Sequence, residues 1–337
     1  MAASLPSTWL CAWSVSQVAL QFRYDTSGQA PVMTGTVLPA RAEVQPGAPL
    51  RPVFGFTASL HTAEMPTAPD AYLHGHHDSV LRSHRWRTAQ NSAGYLISRL
   101  PAAADILDVG CGPGTITADL AVLAAPGRVV GVDAADDVLA EARRAAADRS
   151  VTNVTFETGD VYSLSFADRS FDVVHAHQLL QHLSDPVAAL TEMSRVCRRG
   201  GVVAARDSDY GGMIWYPEDD DLAEWLALYR RVARATGGEP DAGRRLLSWA
   251  RAAGFAAIDA SASTWCYTSP QDRAWWGRLW ADRLTKSSFG ERALGYGLAS
   301  PQDLERLANA WLRWSESDDG WFMIPHGEIL CRTASKD

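Results

Sequence analysis

Three glycines in five positions, Gly110, Gly112 and Gly114, separate the apolar run ending at Asp108 from a helix-like segment in the stretch ILDVGCGPGTIT, residues 106–117. A strand–turn–helix of this kind lets the backbone approach a nucleotide closely, because glycine lacks a Cβ and tolerates positive φ. The spacing is G-x-G-x-G, and Thr115 holds the place of the third glycine in the dinucleotide fingerprint G-x-G-x-x-G. Asp133 lies 19 residues beyond Gly114, at the end of the next apolar run. A carboxylate there can accept two hydrogen bonds from a ribose diol.

A second set of residues suits an acceptor molecule. His177 and Gln178 end the run FDVVHAHQ, Gln181 and His182 follow at once, and Asp207, Asp209 and Tyr210 close the next run, VVAARDSDY. Ligands of open α/β sheets bind beyond the carboxyl ends of the strands, where these residues fall. Of the two histidines, His182 stands on a turn that can project over the crevice and is the expected base. His177 and Gln178 then shape the pocket. An unperturbed imidazole would give a rate that rises with pH near about 6.5.

The elements that must position these groups alternate regularly. Strands are expected at 104–109, 128–133, 153–158, 171–177 and 201–206, with helices at 115–125, 136–148 and 185–198. This alternation implies an α/β fold with a mostly parallel sheet and helices on both faces. Pro186 opens the helix before residue 200, and Gly200 and Gly201 are expected to close it. Helices at 218–236 and 241–253, a strand at 255–267, helices within 270–316 and a last strand WFMIPHGEILCRT complete the pattern. Upstream, residues 78–100 carry apolar side chains at helical spacing.

Residues 1–64 differ: few charges, many Pro and Gly and no sustained period mark them as a disordered or non-native extension, with Met65 as an alternative start. The net charge of -8 and the scarcity of lysine argue against a nucleic-acid partner. Five cysteines without CxxC spacing argue against a disulfide framework or zinc site. His74, His76, His77 and His84 lie close together, but no metal is expected. No apolar run is long enough for a membrane span, and a cytoplasmic location is the default expectation. Ten of the 13 tryptophans follow residue 200. Core packing accounts for several, while a helical cap rich in Trp also suits a flat, apolar or aromatic small molecule.

The stretch ILDVGCGPGTIT resembles the first motif of class I S-adenosylmethionine-dependent methyltransferases. VVGVDAADDVLAEAR resembles their second, and the segment from FETGD to RRGGVV resembles the third to fifth motifs of the branch that includes the ubiquinone and menaquinone biosynthesis methyltransferases. The resemblance covers about 70–337 and implies a Rossmann-like, seven-stranded sheet over 65–337, with a helical acceptor cap at about 215–253 and 270–316. It implies S-adenosyl-L-methionine as cofactor, S-adenosyl-L-homocysteine as product and no metal. Asp108, Gly110, Cys111, Gly112, Gly114, Asp133, Ala134, Asp160, Val161, His177 and Gln178 would hold the cofactor. Asp160 would face the adenine amino group and Asp108 the methionine part.

His182 and His177 would serve the chemistry. Tyr72, His77, Trp86 and Arg87 would form a lid, and Gln181, Asp207, Tyr210, Trp276 and Trp280 would line the acceptor pocket. The expected partner is a small, largely hydrophobic or aromatic acceptor of secondary or quinone-type metabolism, without nucleic acid or membrane, and a homodimer remains open. Two alternatives stand beside this reading. One is an NAD-dependent oxidoreductase, opposed by Thr115 and by the lack of a Tyr-x-x-x-Lys pair; the other is a non-catalytic binding or regulatory protein that keeps the fold.

Overall fold

The computed structural model describes residues 86–334. Two single turns, α1 (Ala89–Ser92) and α2 (Gly94–Ile97), precede β1 (Ile106–Val109), α3 (Thr115–Ala124), β2 (Val129–Asp133), α4 (Asp136–Asp148), β3 (Val154–Thr158) and β4 (Phe171–His177). A 3₁₀ turn at Leu180–His182 leads to α5 (Pro186–Val196), β5 (Cys197–Ser208), β6 (Ile214–Tyr216), α6 (Asp220–Ala235), α7 (Leu246–Ala252) and β7 (Ala257–Tyr267). The chain ends through α8 (Pro270–Lys286), α9 (Ser288–Gly295), α10 (Pro301–Glu316) and β8 (Trp321–Arg332).

Strand order is β3-β2-β1-β4-β5-β8-β6, with β7 also paired to β8. The first five strands run parallel, and β8 is antiparallel to β5, β6 and β7. Their central position explains why β1 and β4 read as near-continuous apolar runs, since both faces are covered. Leu107, Val130, Val174 and Val203 meet Leu190, Met193 and Leu246 on one face. Ile106, Val129, Val173 and Val202 meet Leu96, Leu120 and Ala121 on the other.

A third core belongs to the cap. Trp225, Trp280 and Trp311 are fully buried there with Phe289 and Phe322. Trp225 meets Trp280 and Trp311 edge-to-face at 4.5 and 4.7 Å, an arrangement favoured by the ring quadrupoles. Helix α10 enters this core from a capping box: Ser300 Oγ accepts from Asp303 N at 3.2 Å, and Asp303 Oδ2 accepts from Ser300 N at 3.0 Å. Ser300→Ala is expected to lower stability by about 1 kcal/mol, read by chemical denaturation; an unchanged midpoint would show the cap contributes nothing.

Three expectations change. The sheet has an eighth strand, β6, whose three residues are too short to leave a periodic signature. Strand β5 begins at Cys197, so Gly200 and Gly201 lie inside it instead of closing the helix. A Cβ at Gly201 would stand 2.7 Å from the Asp172 carbonyl oxygen, so this glycine permits close backbone approach. Of the helix expected at 78–100, the part at 78–85 lies outside the described residues, and the rest breaks at Ala93. Asn91, Ser92 and Gly94 around the break are poor helix formers.

Candidate active site

The glycine turn between β1 and α3 places Gly110, Gly112 and Gly114 at φ values of 71°, 53° and 72°. Gly114 is the most constrained, because an added Cβ would come within 2.7 Å of Ala142 and 2.8 Å of the Phe156 ring. The turn is tied to β2 by Asp133, whose Oδ2 accepts from Gly112 N at 2.8 Å and whose Oδ1 accepts from Ala135 N at 3.1 Å. At the end of β3, Asp160 Oδ1 accepts from Tyr162 N at 2.9 Å.

Gly110, Gly112, Asp133 and Asp160 face one cavity of about 950 Å³, lined also by Cys111, Ala134, Val161, Arg87, His177, Gln178 and His182, whereas Gly114, expected beside them, does not line it and packs instead against Ala142 and Phe156. The acidic groups and close-approach turn fit an adenosyl ligand, for which Asp133 would accept from ribose hydroxyls and Asp160 from an exocyclic amine. Asp108 also lines the cavity. Its carboxylate is already engaged, taking a hydrogen bond from Thr117 Oγ1 at 2.6 Å and meeting His175 Nδ1 at 2.7 Å. It therefore ties β1 to α3 and β4 as well as bordering the ligand space.

At the end of β4, Gln178 adopts φ 51°, a strained value for a residue with a Cβ. Its Oε1 accepts from Arg87 Nη2 at 2.5 Å. Its Nε2 donates to Ser208 Oγ at 2.7 Å and to His326 Nε2 at 2.9 Å. The His326 tautomer follows, because Nδ1 donates to the Ile324 carbonyl at 3.1 Å. Gln178 is thus a fixed junction between the lid residue Arg87 and strands β5 and β8.

The two histidines differ in what they have to spare. Ser208 N donates to Gln181 Oε1 at 3.3 Å, which orients the amide so that Gln181 Nε2 donates to His182 Nε2 at 3.0 Å. That nitrogen is occupied, and burial, aided by Arg87 and Arg283, pushes the His182 pKa down to about 3. The rate step expected near pH 6.5 thus has no source in His182. His177 is 6% exposed, and neither ring nitrogen has a hydrogen-bond partner among the described residues. Burial, reinforced by Arg87 and Arg206, holds its pKa well below the usual imidazole value. A neutral ring with an open lone pair, lining the cavity, can accept a proton.

Arg206 was not singled out by the sequence. It pairs in register with His177 on one side and with Glu328 on the other. Its Nε donates to Glu328 Oε1 at 3.2 Å, and its guanidinium lies 4.8 Å from the Trp265 ring centroid. Burial lowers its pKa to about 10, and its positive charge adds to the forces that keep His177 neutral.

The remaining expected acceptor residues divide. Arg87 lines the cavity and a small pocket beside it, while Trp86 lines only the small pocket and packs on Trp265, Tyr267 and Trp275 at 5.2, 5.8 and 5.7 Å. Tyr72 and His77 lie outside the described residues. Tyr210 and Trp276 line the same small pocket, with Trp265, Tyr267 and Arg283, which sequence reasoning missed. Trp280 instead lies in the cap core at 0% exposure. Asp207 is also fully buried and lines neither the cavity nor the small pocket; its Oδ1 accepts from Gln181 N at 3.1 Å, fixing the turn that carries His182. Gln181 serves the same turn and borders a separate small void. No group of three or more His, Cys, Asp or Glu among the described residues could hold a metal, and none of their helices is long and apolar enough to cross a membrane.

Comparison with known proteins agrees with this geometry. Residues 101–253 match the methyltransferase domain family. An uncharacterised methyltransferase of Schizosaccharomyces pombe is 36% identical over 79% of this chain and 97% of its own length. A probable methyltransferase of Aspergillus luteorubrus is 30% identical over 77% of this chain and 96% of its own. A ubiquinone/menaquinone biosynthesis C-methyltransferase of Bdellovibrio bacteriovorus is 37% identical over a shorter stretch, 30% of this chain and 43% of that protein. With near-complete coverage of the first two relatives and the glycine turn, Asp133 and Asp160 facing one cavity, the chain belongs to the class I S-adenosylmethionine-dependent methyltransferases.

Proposed function

We propose that the enzyme methylates a small, largely hydrophobic or aromatic acceptor, of the kind made in secondary or quinone-type metabolism. The observation that carries this reading is the continuity of the cavity: one space of about 950 Å³ reaches from Asp133 and Asp160 to His177, Gln178 and His182. Small-molecule sites span roughly 300–1,000 Å³, so this space suits a donor and an acceptor together. The aromatic wall of Trp86, Trp265, Tyr267, Trp275 and Trp276 adjoins it.

When bound, S-adenosylmethionine supplies a methyl group on a sulfonium, an electrophile that needs no further activation. The chain's task is to align the acceptor for in-line displacement and exclude water. Transfer breaks the methyl carbon–sulfur bond and forms one bond from that carbon to the acceptor, and S-adenosylhomocysteine leaves. A proton on the acceptor nucleophile passes to His177. The cytoplasm as location and the absence of nucleic-acid and membrane partners belong to the same proposal, as does an acceptor cap that works in a monomer or homodimer.

A donor carrying a labelled methyl group, offered with a panel of flat hydroxylated aromatics and of strongly polar amines, tests the acceptor class. Label is expected in the aromatics. Transfer confined to the polar amines would overturn it.

A further inference from the structure

A small pocket beside the main cavity is walled by aromatic rings and polar groups. Its volume is about 20 Å³, enough for roughly one water-sized group. Arg87 and Gln178 line both spaces, so their hydrogen bond forms the partition between them. Two guanidinium groups, Arg87 and Arg283, line the pocket, and no carboxylate among the described residues does.

The other polar groups there are donors as well. Tyr267 is 1% exposed and Trp276 4%, and neither the Tyr267 hydroxyl nor Trp276 Nε1 has a hydrogen-bond partner. Buried polar groups left in this state ordinarily cost stability unless a ligand or water satisfies them. Ser208 Oγ accepts from Gln178 Nε2, which leaves its own proton to give. An aromatic-walled space with two cations and three neutral donors is complementary to an oxyanion.

We infer that this pocket seats an acidic oxygen of the acceptor, so that the substrate is a flat ring bearing a carboxylate or an ionisable hydroxyl. This deepens the methyl-acceptor reading and rests on it. The ring lies in the main cavity near His177, and the acidic oxygen reaches past the Arg87–Gln178 pair. The electrostatics agree: burial raises the Tyr210 and Tyr267 pKa values, while Arg87 and Arg283 both oppose it. The same cations favour ionisation of an acceptor hydroxyl. An acidic acceptor also suits a site whose histidines are held neutral and weakly basic.

Calorimetry on the full chain, with and without S-adenosylhomocysteine, compares 2-naphthoate and 2-naphthol with 2-naphthamide, the neutral isostere of the acid. One of the two acidic probes is expected to bind about 10- to 100-fold tighter than the amide, the scale of charge-assisted hydrogen bonds, and which one does so separates carboxylate from hydroxyl. Arg283→Met should bring that ratio near unity. Tyr267→Phe, which removes one hydroxyl from the ring, should lower it about threefold or more. The ratio is decisive because misfolding weakens all three probes alike. Equal affinity for acids and amide, including no measurable binding of any, overturns the inference, as does a ratio unmoved by both variants. Failure to bind S-adenosylhomocysteine would count against the donor reading instead, and the acid-to-amide ratio would still decide this one.

Discussion

His177→Phe is expected to reduce kcat by about 10²-fold or more, the scale of a positioned base, when the acceptor nucleophile carries a proton. Phenylalanine keeps a ring beside Trp265 and His326, which lie 5.7 and 6.4 Å from the imidazole, while removing the two unpartnered nitrogens. His182→Phe should cost less than tenfold, since its Nε2 is already taken by Gln181. Burial pushes both imidazole pKa values below the ordinary range, that of His182 to about 3, so both rings are held neutral where an ordinary imidazole would titrate. No step from histidine deprotonation should appear near pH 6.5. A rise of rate with pH at higher values would report the acceptor's own ionisation. Near-normal turnover in His177→Phe together with a crippled His182→Phe would return the base to the 3₁₀ turn.

Asp133→Ala should weaken S-adenosylhomocysteine binding by about 1–3 kcal/mol, roughly 5- to 150-fold, the cost of losing hydrogen bonds to a charged acceptor. Two effects add in this variant. The ribose loses its acceptor, and the Gly112 and Ala135 amides lose the carboxylate that fixes the turn. Asp133→Asn separates them, because it keeps the side-chain volume and one acceptor oxygen but loses the charge. Its loss should fall between those of the parent and the alanine variant. Equal affinity in Asp133→Ala, or NAD binding by the parent protein, would be incompatible with the assignment.

The cofactor half of the site was legible because its residues come from local, repeated units. Gly110, Gly112 and Gly114 share one turn, Asp133 ends β2, and Asp160 follows just after β3, in a stretch whose strands and helices alternate. The tryptophans show where local pattern stops informing. Trp276 and Trp280 are four residues apart on α8, hence on one face of the helix, and both pack in the cap core, yet only Trp276 also lines the small pocket. Helical periodicity gives the face but not what a neighbouring element places against it.

By itself, then, the sequence determined the α/β sheet, the glycine turn and the carboxylates that border the same cavity. Those features depend on hydrogen bonds and strand ends within short stretches of chain. Tertiary structure alone decided the acceptor half. Gln178 meets His326 across 148 residues and Arg206 meets Glu328 across 122, both through the antiparallel register of β8 against β5. That register is set by burial of the whole sheet and by the inserted cap, so no spacing along the chain encodes it. The choice between His177 and His182 follows from the same cause: the Gln181 amide that occupies His182 is oriented by Ser208 on β5, a strand away in space.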